Sequence, residues 1–306
     1  MKIFVTGATG VIGRRLVPLL LADNHDLTVM TRHDGPLPAP WAGDVRTARA
    51  DLFDRGSLAF AARGQDAVIN LATHMPSSSL KMMFRRSWRM NDRIRREGSR
   101  NLVEAALAGG VARFIQESYA ITYPDRGDSW IDESVPLEPA TYNQTVLSAE
   151  ESAMRFTREG RTGVVLRFAA FYGADSMLVT DTMRALRWGW APVPGDPDAF
   201  FSSVSHDDAA TAVVHALRAP SGTYNVVDDE PLRRRELFGS LASLIGARTP
   251  RFPPRWMTPL FGDAGKLLAR SLRISNARLH RDTGWTPRYR SAREGWKATV
   301  AAMKPA

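Results

Sequence analysis

The chain contains no cysteine, which excludes disulfides, thiolate metal sites and a cysteine nucleophile. It has no apolar run of 18 residues, so no segment reads as a membrane-spanning helix. Its six histidines include no close pair at metal-ligand spacing, and a metal enzyme is not expected. A charged leader with a small-residue cleavage site is also missing. Lys2-Ile3-Phe4-Val5 runs directly into a glycine turn, and a cytoplasmic protein is the expectation.

What is present is an ordinary globular composition. A chain of 306 residues that is 44% hydrophobic has enough apolar surface to bury a sizeable core. The net charge is +9, and arginine greatly outnumbers lysine. The richest run holds Arg85, Arg86, Arg89, Arg93, Arg95, Arg96 and Arg100, several of them four apart. On a helix that spacing makes a basic stripe facing water. No aromatic platform or helix-turn-helix pattern accompanies it, so a nucleic-acid surface is not expected, whereas anionic ligands are welcome.

Short apolar runs alternate with helical stretches. Residues 3–6, 27–32, 67–72, 113–116 and 164–168 read as strands, and residues 13–22, 99–108 and 147–158 as helices. This order predicts an α/β fold, a doubly wound parallel sheet of the Rossmann type. From about Gly173 the texture changes, as Trp188, Trp190, Pro192, Pro194, Pro197, Pro250, Pro253 and Pro254 interrupt shorter helices. The division predicted is a dinucleotide-binding domain over residues 1–172. A smaller, discontinuous substrate lobe follows over residues 173–306, with some segments returning to the first.

The first strand enters Thr6-Gly7-Ala8-Thr9-Gly10-Val11-Ile12-Gly13 and then a helix. Gly7 permits the tight turn, Gly10 lets backbone N–H groups approach a pyrophosphate, and Gly13 lets the helix pack on the strand. Thr9, Val11 and Ile12 complete the loop at the helix N-terminus, which favours an anion. At the end of the second strand, where an NAD enzyme places a carboxylate, the chain reads Thr31-Arg32-His33. Arg32 suits a 2′-phosphate, so NADP(H) is the expected cofactor. Asp51 and Leu52, following a third strand, are candidates for the adenine end. Asn70, Leu71, Ala72 and Thr73 pass toward the ribose and nicotinamide.

Together with Gly98-Ser99-Arg100-Asn101-Leu102, Phe114-Ile115-Gln116-Glu117-Ser118, Tyr142, Leu166-Arg167, Tyr172-Gly173, Ser205-His206-Asp207-Asp208, Ser275-Asn276-Ala277-Arg278 and Gly284-Trp285, these motifs resemble the extended short-chain dehydrogenase/reductases over nearly the whole chain. The resemblance implies NADP(H) against Gly7–Gly13, Arg32, Asp51, Leu52, Leu71–Thr73, Tyr142 and Phe168. It also implies a Ser or Thr and a Tyr on the substrate oxygen, with a Lys four residues after the Tyr to lower its pKa and hold the ribose.

Here the chain departs from that pattern. Tyr142 matches the Tyr and Glu150 a carboxylate of the following helix, but Val146 stands where the Lys belongs. Without the cation Tyr142 is expected to keep a pKa near ~10, able to donate a hydrogen bond but poorly able to act as a base. Tyr119 occupies the family Ser position with Ser118 one residue earlier, and either hydroxyl is a candidate. Arg95 replaces a helix Asn of the family. Ala170 replaces an Asn that in sugar-nucleotide epimerases helps hold the phosphates.

The losses favour a reaction that needs no protein proton relay over a binding module. A ketone with an adjacent phenol supplies its own proton. Thr73, His74, Met75, Met82, Met83, Met90, Tyr119, Met177 and Met183, with Trp188 and Trp190, suit a broad apolar ligand. Altered triads of this kind resemble the ketoreductases of aromatic polyketide antibiotic pathways. The expectation is an NADPH-dependent ketoreductase for a small, hydrophobic, polycyclic aromatic ketone, monomeric or homodimeric. A nucleotide-sugar epimerase or dehydratase and a non-catalytic NADP(H)-binding regulator are the alternatives.

Overall fold

A computed structural model describes residues 1–32, 37, 39–76, 79–82 and 84–303; His33 and Met83 lie outside them. The centre is a seven-stranded parallel sheet of β1 (Lys2–Thr6), β2 (Asp26–Thr31), β3 (Arg46–Arg49), β4 (Ala67–Asn70), β5 (Arg113–Tyr119), β6 (Thr162–Phe168) and β7 (Gly222–Val226). In space the order is β7-β6-β5-β4-β1-β2-β3. It reverses between β1 and β4, and a crevice at such a point is where open α/β sheets take ligands. The predicted Rossmann-type sheet is therefore present. β3 is largely polar and β7 comes after the Pro- and Trp-containing loops, so neither reads as a strand from its own pattern.

Both faces of the sheet are covered, which is why Ile3, Phe4, Val5 and all four residues of β4 are buried. On one face α1 (Gly13–Ala22) and the helix His206–Ala216 pack Leu16, Val17, Leu20, Ala209, Val213 and Ala216 against Ile3, Val5, Ile69, Ile115 and Leu166. On the other face lie α2 (Arg55–Ala62), α3 (Ser99–Ala108) and α4 (Thr145–Arg158). α4 buries Val146, Ala149, Glu150, Ala153 and Phe156, the 3.6-residue spacing of an amphipathic helix.

A second core gathers Tyr172, Val179, Met183, Leu186, Leu237, Phe238 and Trp296. Between this core and the sheet, Ala120, Ile121, Tyr123, Leu267, Leu272 and Ile274 form a smaller cluster against which Tyr119 and Tyr142 pack. The helix His206–Ala216 and β7 come back to the sheet from the second half of the chain. Among the described residues no helix is long and apolar enough to cross a membrane.

The basic run does not form one stripe. Residues 85–98 pass through a 3₁₀ turn Arg85–Trp88, a short helix Arg89–Arg93 and a π-helical turn Ile94–Gly98. Arg85, Arg86, Arg89 and Arg93 stay exposed, but Arg95 is buried. The expectation that Arg95 faces water is corrected: Glu117 draws it inward.

Candidate functional site

The glycine turn is built by close approach. Gly7 has φ +75°, and a Cβ there would meet the Leu71 carbonyl oxygen at 2.5 Å and the Ala72 nitrogen at 2.9 Å. A Cβ on Gly13 would meet the Ala8 Cα at 2.6 Å. The Gly10 N–H donates to the Gly7 carbonyl at 3.0 Å. Thr9, Gly10 and Val11 are exposed, and the N-cap Ile12 offers no side chain to the first-turn amides of α1. Arg14 and Arg15 N–H donate to the Gly10 and Ile12 carbonyls at 3.0 Å, and the exposed, side-chain-free approach over Gly7 and Gly10 at the helix N-terminus fits a dinucleotide pyrophosphate.

Polar side chains at the ends of β1, β4 and β5 fix the floor. Thr6 Oγ1 donates to Asn70 Oδ1 at 2.6 Å, and Asn70 Nδ2 donates to Gln116 Oε1 at 2.9 Å. Leu71 is buried, Ala72 half-buried, and Thr73 and His74 are exposed beside the crevice. The His74 N–H is held by Asn91 Oδ1 at 3.0 Å. Arg32 is exposed immediately after β2. Asp51 is exposed too, its Oδ1 accepting from the Phe53 N–H at 2.9 Å. Leu52 and Phe168 bury their side chains in the two sheet cores, which leaves their backbones to meet a ligand.

At the other end of the crevice Tyr119 and Tyr142 come together. The Tyr142 ring packs on Trp88 with centroids 5.1 Å apart. Burial, then the neighbouring Tyr119 phenol and Asp263, push the Tyr142 phenol above its ordinary value, while Arg270 pulls it slightly back. The expectation of a value near ~10 is thereby corrected upward. Tyr119 is likewise raised by burial, opposed by Arg95. Neither phenol has a hydrogen-bond partner among the described residues. Val146 is fully buried on α4 at the lysine position.

Ser118 behaves differently. It has no exposed surface and donates to Glu150 Oε1 at 2.5 Å, while Arg167 grips both Glu150 oxygens at 2.8 and 2.7 Å and Tyr123 at 2.6 Å. The expectation that either Ser118 or Tyr119 reaches a substrate is corrected: the buried Glu150 carboxylate captures the serine, and Tyr119 is left. Met183 also departs from its assignment, because it is buried in the second core. Met75 and Met177 are exposed.

Two features were not singled out in the sequence. Asp175 receives Arg15 at 2.8 and 3.0 Å, His206 Nδ1 at 2.9 Å and Arg14, tying the first turn of α1 to the loop after Tyr172-Gly173. Arg95 pairs with Glu117, Nη2 to Oε1 at 3.0 Å. Both join residues far apart in the chain. Only the odd substitution at Arg95 hinted at either.

Residues 3–227 match the model of the NAD dependent epimerase/dehydratase family. A 3-diazoavenalumate denitrifying reductase from a Streptomyces species is 30% identical, spanning 96% of this chain and 99% of that protein. A 4-hydroxy-2-methyl-3-oxo-4-farnesyl-3,4-dihydroquinoline-1-oxide ketoreductase of Stigmatella aurantiaca is 24% identical over 81% of this chain and 74% of its own length. The structure of UDP-glucose 4-epimerase from Thermus thermophilus in complex with NAD superposes with a TM-score of 0.79 at 25% identity, over 100% of both chains.

The fold and the glycine turn define a Rossmann protein of the nicotinamide-dinucleotide-binding class. The chain belongs to the NAD-dependent epimerase/dehydratase family, and it has reductases among its relatives.

Proposed function

We propose that the protein is an NADPH-dependent reductase of a hydrophobic aromatic substrate, a polyketide-type ketone beside a phenol, and that it works without a tyrosine–lysine relay. The observation that carries this reading is the fully buried Val146 in the lysine position beside a phenol whose acidity burial suppresses. Gly7–Gly13 would hold the pyrophosphate, Arg32 the 2′-phosphate, Asp51 the adenosine, and Leu71–Thr73 the nicotinamide half. Bound there, NADPH would supply a hydride to an electron-poor carbon, either a ketone carbon whose oxygen takes up a proton or an arenediazonium carbon that loses dinitrogen.

The chain's own part is orientation and desolvation. Tyr119 and Tyr142 stay neutral at physiological pH, and Tyr119 is the hydrogen-bond donor suited to steadying a developing alkoxide, while Tyr142 packs beside it. Neither removes a proton, because the fraction ionised near neutrality is negligible for a phenol raised above ~10. Met75 and Met177, both exposed, supply apolar surface for a flat ligand. The assay that tests the reading is NADPH oxidation with ortho-hydroxyaryl ketones. Reduction with a preference for NADPH supports it, and inertness toward the whole panel opposes it.

A diazo acceptor is the second reading, favoured by the 30% identity across 96% of the chain to a denitrifying reductase of a diazo compound. In its arenediazonium form it asks even less of Tyr142, since hydride capture by the cation with loss of dinitrogen gives the neutral arene and requires no proton donor. A nucleotide-sugar epimerase is disfavoured by Val146 and by Ala170, and a non-catalytic regulator would bind NADPH without oxidising it.

A further inference from the structure

The buried ion pair of Arg95 and Glu117 has no place in the reading above. Its side chains retain only 4% and 12% of their exposure. Arg95 Nη2 lies 3.0 and 3.4 Å from the two Glu117 oxygens and Nε lies 3.3 Å from Oε1. Burying two charges is costly, and a well-packed apolar pair of the same volume is often at least as stable. Stability alone therefore gives no reason for the pair. Its place does: Glu117 and Tyr119 are two apart on β5, so their side chains project to the same face. The π-helical turn that carries Arg95 follows Asp92, which accepts from Thr145 Oγ1 at 2.8 Å and so ties this segment to the start of α4, one residue before Val146.

The charged and titratable groups around Tyr119 are Arg95, Glu117 and Tyr142, with Asp263 and Arg270 beyond Tyr142. Arg95 is the only cation acting on Tyr119 among them, and it favours the phenolate while Glu117 opposes it. The three bonds to Glu117 use Nε and Nη2, and Nη1 has no partner among the described residues.

We propose that Arg95, anchored by Glu117, is a positioning residue for Tyr119: it holds the phenol as hydrogen-bond donor to the substrate oxygen and places a fixed positive charge beside that oxygen as negative charge develops. The positive charge supplied by lysine in the family pattern thus enters from the helical segment 89–98 instead of from α4, and serves Tyr119 instead of Tyr142. The inference rests on the reductase reading for its substrate, but the coupling of Arg95 to Tyr119 is measurable without turnover.

The variants are Arg95→Lys, Arg95→Gln and Glu117→Gln, with the double Arg95→Gln, Glu117→Gln as a control that replaces the ion pair by two amides and so avoids an unpaired buried carboxylate. Carbon-13 labelling at tyrosine Cζ, with Tyr119→Phe for assignment, follows the phenol through a pH titration of the ligand-free protein. The expected result is a Tyr119 midpoint that rises in Arg95→Gln, where the cation is lost and Glu117 stays, falls in Glu117→Gln, stays near the parent in Arg95→Lys, and moves least in the double variant, where the two opposing charges leave together. NADPH affinity, read by fluorescence titration, should change by less than about threefold, while kcat on an ortho-hydroxyaryl ketone falls about tenfold or more at similar KM. A Tyr119 midpoint that moves in neither single variant, a Lys variant no better than Arg95→Gln, or a parallel loss of NADPH binding would overturn the assignment and leave the pair a structural strut. If no ketone turns over while the midpoint moves as expected, the reductase reading fails and the coupling stands.

Discussion

Trp88 and Tyr142 face each other with ring centroids 5.1 Å apart and planes inclined at 47°. The contact removes water from a phenol that has no lysine beside it, and the tyrosine becomes a weaker acid. A base at this position is excluded at neutral pH, but a hydrogen-bond donor is not. Tyr142→Phe is therefore expected to keep activity within about threefold, where loss of a conventional tyrosine acid costs about 10²- to 10⁴-fold. Steady-state rates on an ortho-hydroxyaryl ketone check this. Methylating the substrate phenol should do the greater damage.

The same burial gives a pH dependence. A phenol raised in the folded state contributes stability that is fully present below the unfolded value of ~10 and is lost as pH rises through the folded one. Tyr142→Phe should leave denaturant midpoints at pH 7 nearly unchanged and soften the decline above pH ~10. Chemical denaturation at both ends of that range reads the difference. An unaltered alkaline decline would mean that the Tyr142 environment is wetter than the Trp88 contact implies.

The turn at Gly7 leaves no room for a side chain, since a Cβ would lie 2.5 Å from the Leu71 carbonyl oxygen. Gly7→Ala adds left-handed strain to that overlap and should destabilise the fold by about 1–3 kcal/mol. It should also weaken NADPH binding tenfold or more. Thermal melts with and without NADPH separate the two effects. Arg32→Ala, by contrast, should leave the melt unchanged and reduce only the preference for NADPH over NADH.

Asp175 joins α1 to the second half of the chain. Burial raises its carboxyl, but hydrogen bonds from His206 and Arg15 and their charges outweigh that and hold it far below the usual carboxylate range. A depressed carboxyl contributes stability that is present above ~4 and lost as pH falls. Asp175→Asn should cost about 1–3 kcal/mol at pH 7 and flatten the acid limb of the stability profile. Equal acid sensitivity in the variant would contradict the clamp.

Much of this was legible in the sequence, and the reason differs from part to part. The glycine turn, β1, β4 and α3 read correctly because the signals are local: a fixed spacing, an apolar run, a period. β3 was legible only by its place ahead of Asp51-Leu52 and β7 not at all, because Arg46-Thr47-Ala48-Arg49 and Gly222-Thr223-Tyr224 owe their strand state to neighbours in the sheet. At the site, the missing lysine was visible from register alone. The fate of Ser118 was not, since Glu150 and Arg167 claim it from 32 residues away and across the sheet. Arg95 was visible as a departure, yet its direction depends on Glu117, which carries no signal of its own.

Asp228 presents the opposite case to Asp175. It is buried, and burial together with the nearby Asp208 raises its carboxyl well above the ordinary value, with Ser203 Oγ donating at 3.2 Å. Here stability is greatest below ~4 and declines as pH rises toward the elevated folded value. Asp228→Asn keeps the shape and removes the decline, so it should stabilise the protein at pH 8 relative to the parent. A lower melting temperature at pH 8 would show that the carboxylate is held charged by a partner.

The central claim is hydride transfer from NADPH by a site with no tyrosine–lysine relay, and stereospecifically deuterated NADPH tests it most directly. Reduction of an ortho-hydroxyaryl ketone is followed by mass spectrometry with each C4 deuterated isomer, in parallel for the parent protein and Tyr142→Phe. One deuterium is expected in the product from one face of the nicotinamide only, at comparable rates in both proteins. Product without deuterium from either face, or a rate that collapses in Tyr142→Phe while surviving methylation of the substrate phenol, would contradict it.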